Sequence, residues 1–124
     1  MKAINYISAL CAAVLLLSLS PGRTAAQPVE RNDSTIVKKA RYVAGVAQRD
    51  LSLTDAETSF LEDTFYDRYY AGEQRTKDVS DPAKVAEIKS SIHKEFSRVV
   101  YKHYGHERSA EIIAWYYNYS NKKR

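Results

Sequence analysis

A chain of 124 residues has room for one domain. Its formal net charge of +4, which falls to +2 without the first 26 residues, is spread over 27% charged residues of both signs and is too balanced to predict nucleic-acid binding. A single cysteine excludes a disulfide framework.

The amino-terminal segment reads as a targeting sequence rather than as part of the domain. Lys2 supplies a positive start, and an apolar stretch follows that is densest over residues 10–19. Pro21 and Gly22 break it, and Thr24-Ala25-Ala26 puts small residues three and one before Gln27. That is the layout of a secretory signal, residues 1–26, cleaved after Ala26. The apolar run is shorter than the about 20 residues of a membrane span. No stable membrane insertion is therefore expected after cleavage, and the expected location is the periplasm or the medium. Loss of Lys2 and Arg23 takes the formal charge from +4 to +2, and Cys11 goes with them. The remaining chain must be held by packing alone. A core of that size is marginal, which favours a homodimer.

Residues 27–33 are polar, contain Pro28, and read as a flexible leader. The first helix is predicted over residues 34–50. Ile36, Val37, Ala40, Val43, Ala44 and Ala47 fall three and four apart on one face, with Asp33 or Ser34 as cap. Thr54-Asp55-Ala56-Glu57 fits a capping box and opens a second helix. Leu61, Phe65 and Tyr69 follow at intervals of four, with Phe60 beside them, and Gly72 suits a left-handed stop. Residues 73–80 are charged and aperiodic, the pattern of a loop. Asp81-Pro82 then reads as cap and first helical position. Val85, Ile88, Ile92, Phe96, Val99 and His103 mark one face of a third helix that ends at Gly105, and this helix is the expected spine or dimer seam. A fourth runs over residues 107–119 with Ile112, Ile113, Trp115 and Tyr116 on its apolar side. The fold expected is all-α, a small four-helix hairpin-type assembly over residues 34–124.

The stretch Leu53-Thr54-Asp55-Ala56-Glu57 is explained locally: Leu53 packs under the turn, Thr54 caps and Glu57 closes the box. It also resembles the LTxxQ signature of the Spy/CpxP-like periplasmic proteins, with Glu57 in the place of Gln. That family carries the signature twice, each copy starting a helix. The second copy would fall at Tyr104-Gly105-His106-Glu107-Arg108, where only the acidic fourth position is kept. The resemblance spans about residues 35–119. It implies a thin, curved, all-α dimer and a role as an ATP-independent chaperone, an envelope-stress adaptor or a metal-responsive protein. Client-binding members use a concave surface of basic and apolar residues, for which Arg68, Lys84, Lys94, Arg98 and Lys102 are the cations here.

Ten tyrosines are unusual for this length, and all but Tyr6 follow the signal. Adjacent pairs such as Tyr69-Tyr70 and Tyr116-Tyr117 cannot face the same way on one helix, so some rings must be exposed or meet a partner. Tyr and Trp serve well at interfaces because they bury large area at low entropic cost. Tyr66, Tyr69, Tyr70, Tyr101, Tyr104, Trp115 and Tyr117 are the expected protein-binding residues.

Nothing frames a nucleophile: there is no GxSxG, no cysteine after the signal and no Gly-rich phosphate loop. No enzyme activity, cofactor or catalytic residue is expected. The function expected is an exported, non-enzymatic protein that binds unfolded clients or a signalling partner. One alternative is a metal-responsive protein centred on His103, His106 and Glu107. The other is a small structural or assembly subunit of the envelope.

Overall fold

The computed structural model describes residues 30–122. The signal-peptide reading of residues 1–26 and the first residues of the leader lie outside them, as do Lys123 and Arg124. Four helices make up the unit from Arg31 onward: α1 (Ser34–Leu51), α2 (Asp55–Thr76), α3 (Pro82–Tyr104) and α4 (His106–Lys122). No strand occurs among the described residues. None of their helices is long and apolar enough to cross a membrane. Each helix packs on its neighbour in the chain, and α4 returns to pack on α1.

Local chemistry sets the helix ends. Asp33 caps α1 by accepting from the backbone N–H groups of Thr35 and Ile36. Arg31, at the leader's end, forks onto Asp67 with two contacts of 3.0 Å, and the Asp33 N–H donates to the Tyr66 hydroxyl. Ser52 closes α1 in the left-handed region at φ 53°. At α2 both halves of the capping box form: Glu57 N–H donates to Thr54 Oγ1 at 3.1 Å, and Thr54 N–H to Glu57 Oε1 at 2.9 Å. Thr54→Ala removes that cap and should lower stability by about 1 kcal/mol. Urea denaturation checks it, and an unchanged midpoint would show that Glu57 alone holds the helix start.

Two expectations are corrected. α2 does not stop at Gly72 but runs on to Thr76, so residues 73–76 are helix, not loop. The extra turn is held from outside: Arg75 pairs with Glu95 of α3 at 3.0 Å, and Thr76 Oγ1 donates to the Gly72 carbonyl. The apolar face of α3 also shifts. Ile92, Phe96 and Val100 are buried, whereas Val99 is 44% exposed and His103 lies at the surface. Val85 and Ile88 are only half-buried, so α3 is less of a spine than its pattern promised.

The core is asymmetric. α1 contributes small residues, with Ala40, Ala44 and Ala47 fully buried, and α2 lays Leu61, Phe65 and Tyr66 against them. Small side chains let two helix backbones approach and leave room for the rings of the partner. Phe65 is the centre: its ring lies 5.6 Å from Phe96 of α3 and 5.1 Å from Tyr116 of α4. The α3–α4 joint is a single residue, Gly105, at φ 82°. Just beyond it, buried Ser109 donates to the Val100 carbonyl at 2.9 Å.

Candidate binding groove

The two signature-like stretches meet in space. The Tyr104 hydroxyl donates to the Glu57 carbonyl at 2.6 Å, and Arg108 Nε lies 3.3 Å from Glu57 Oε2. Arg108 also reaches the Ser52 carbonyl and Glu111. The hydrogen bond from the Thr54 backbone, and then Arg108, hold the Glu57 carboxyl below the usual carboxylate range. Burial, with Glu57 nearby, drives the Tyr104 phenol above its ordinary value. Leu53 is buried beneath this junction. Leu53, Thr54, Glu57, Tyr104 and Arg108 therefore pin the start of α2 to the start of α4.

The aromatic residues separate by role. Tyr66 is buried, with its hydroxyl at the α1 start, and presents no surface to a partner. Trp115 is a tether: its Nε1 donates to Asp50 Oδ2 at 2.9 Å, and its ring stacks on Tyr119. Tyr70 is exposed beside Tyr66, and Tyr101 is exposed against His106. Tyr69 and Tyr117 are the two that come together in a groove. Pattern reasoning passed over Tyr42, at 61% the most exposed large hydrophobic residue among those described, which lies off the apolar face of α1.

That groove, of about 700 Å³, takes its walls from all four helices. Ile36, Ile92, Tyr69 and Tyr116 give it an apolar floor, and Tyr117, 49% exposed, stands at its edge. Lys39, Arg68 and Lys89 face Glu73 as the charged residues of its lining. Lys39 Nζ sits 4.2 Å over the Tyr69 ring. The Tyr116 hydroxyl donates to that of Tyr69, and burial together with this neighbour pushes the Tyr69 phenol far above its ordinary value, keeping it protonated. The Arg68 guanidinium roofs the core rings, 4.9 Å from the centre of Phe96 and 4.7 Å from that of Tyr116. Arg68 donates to His93 Nδ1, and Ser97 Oγ lies 3.3 Å from Nε2. An arginine at Nδ1 requires a lone pair there, so the neutral ring carries its proton on Nε2. Burial, then the charge of Arg68, hold the His93 pKa below its usual value. A smaller cleft of about 180 Å³ between α2 and α3 shares Arg68 and Ile92 as its wall.

The histidines named for metal binding are used otherwise. His103 stacks on Phe60 at 3.5 Å, and His106 stacks on Tyr101. Among the described residues no three His, Cys, Asp or Glu side chains gather closely enough to hold an ion. Of the basic residues proposed for a concave surface, Arg68 alone lines the groove; Lys84, Lys94, Arg98 and Lys102 do not. Lys39, Lys89 and Gly72 were not anticipated, because they are brought in from three different helices. No family model, no curated protein and no solved structure matches this chain.

Proposed function

We propose that this protein is an exported, non-enzymatic binding protein that holds extended segments of unfolded polypeptide, or of a signalling partner, in the four-helix groove. The observation that carries this reading is the groove's lining. An apolar floor with tyrosine edges offers contact to apolar side chains of any sequence, and three cations against one carboxylate add attraction for acidic chains. The Spy/CpxP-like resemblance points the same way, as does the signal-like segment before the domain. A homodimer joined along the half-covered face of α3, at Val85 and Ile88, belongs to the same proposal.

Light scattering of the protein lacking residues 1–26 tests it. The mass should be that of a dimer, and near-stoichiometric amounts should suppress aggregation of a denatured client. Tyr117→Ala should weaken client binding roughly tenfold at unchanged helicity, the size expected of an exposed aromatic anchor. Tyr70→Ala, outside the groove, should not. Equal loss in both variants, or no suppression by the wild type, would remove the groove from the binding role.

A further inference from the structure

Arg68 differs from the other arginines of the domain. Arg31, Arg41, Arg49, Arg75 and Arg108 each lie within ion-pairing distance of a carboxylate. Among the described residues Arg68 has no such partner, although it is half-buried; Arg98 also has none, but is exposed. A partly desolvated cation without a counter-charge is costly, and two ring faces with one imidazole lone pair offset only part of that cost. The same contacts hold the side chain in place. The guanidinium lies over the Phe96 and Tyr116 rings and is tied at one N–H to His93, so its position is set before any ligand arrives. The remaining N–H groups of a guanidinium make a fork that matches a carboxylate. Lys39 and Lys89 on the same walls add to the positive potential.

We propose that Arg68 is a carboxylate-binding residue, which docks an acidic side chain, Asp or Glu, of the polypeptide segment held in the groove. The proposal rests on the groove reading above and gives it a chemical preference: apolar or aromatic residues flanking an acid. An acidic side chain suits the site because the tyrosines and the apolar floor accept its neighbours along the chain.

Fluorescence anisotropy with the full-length protein tests this with three labelled peptides. One carries Asp between Leu and Tyr and has a blocked carboxyl terminus. The second has Asn for Asp. The third has Asn and a free carboxyl terminus. The Asp peptide should bind about tenfold tighter than its Asn counterpart, the size of one charge-assisted hydrogen-bonded contact. Arg68→Gln should bring the ratio of the two affinities to about one, and Arg68→Lys should restore only part of the difference. Equal wild-type affinity for the two blocked peptides overturns the proposal without needing any variant to fold. If that equal binding still falls in Tyr117→Ala, the groove stands and only the carboxylate preference is lost. No binding of any peptide ends both readings. Tight binding of the third peptide alone replaces the acidic side chain with a chain terminus and overturns the proposal as stated.

Discussion

Phe65→Ala will destabilise the domain by about 3–5 kcal/mol, the range for removing a buried aromatic ring and leaving a cavity. Phe65 is fully buried, and its ring lies near those of Tyr69, Phe96 and Tyr116 together. Phe96 and Tyr116, the rings on either side of the gap, already face each other at 5.5 Å. A domain of this size has a total stability of only about 5–15 kcal/mol, so the variant should sit near the edge of folding. Each kcal/mol moves the melting temperature by roughly 4–8 °C in a domain of this length. Thermal and urea melts followed by circular dichroism measure it. Tyr70→Ala serves as reference, being 40% exposed and stacked mainly on Tyr66, and should cost under about 1 kcal/mol. Similar melts for the two variants would show that the three-ring cluster is not what joins α2, α3 and α4.

Gly105→Ala and Gly45→Ala should shift stability in opposite directions, although the chemical change is the same. At both positions an added Cβ meets no heavy atom within 4 Å, so side-chain crowding does not enter. Gly105 sits at φ 82° and ψ 179°, a region that only glycine occupies readily. Alanine there should cost on the order of 1–3 kcal/mol. The joint also aims Tyr104 and Arg108 at Glu57, so a relaxed backbone would loosen that junction too. Gly45 lies inside α1 on an exposed face, where alanine should add up to about 1 kcal/mol by favouring the helix. Denaturation midpoints for the pair decide it. A stabilised Gly105→Ala would mean that the α3–α4 joint adopts another backbone shape in solution.

Much of the fold was legible because its signals are local. The capping box at Thr54, the Asp81-Pro82 start and the three-to-four spacing of α1 all act within one or two turns. Splitting of the tyrosine pairs was legible for the same reason: Tyr116 is 7% exposed while Tyr117 is 49% exposed, as a 100° step between neighbours requires. The end of α2 was not legible, since Arg75 is held by Glu95 from another helix. Nor was the choice of Val100 over Val99. Both are equally apolar, and only the position of α4, whose Ser109 bonds the Val100 carbonyl, decides between them. The groove was hidden for a stronger reason: its lining runs from Thr35 to Asn121 and leaves no pattern in any one segment. Arg68 was named among several cations, but nothing in the sequence marks it as the half-buried one that no carboxylate meets.

The return of α4 onto α1 has a consequence for how the chain is made. Neighbouring helices pair as hairpins, which favours quick folding, but one further contact joins α1 to α4, far apart in the chain. A growing chain that has emerged only as far as α3 has Phe65 and Phe96 but not yet Tyr116, which packs on both. Such a species should present an open aromatic face until the seventeen residues of α4 arrive. Such faces are where chains stick to one another before folding is complete. A stop within α4 should therefore yield aggregates, whereas the finished chain closes over the same rings.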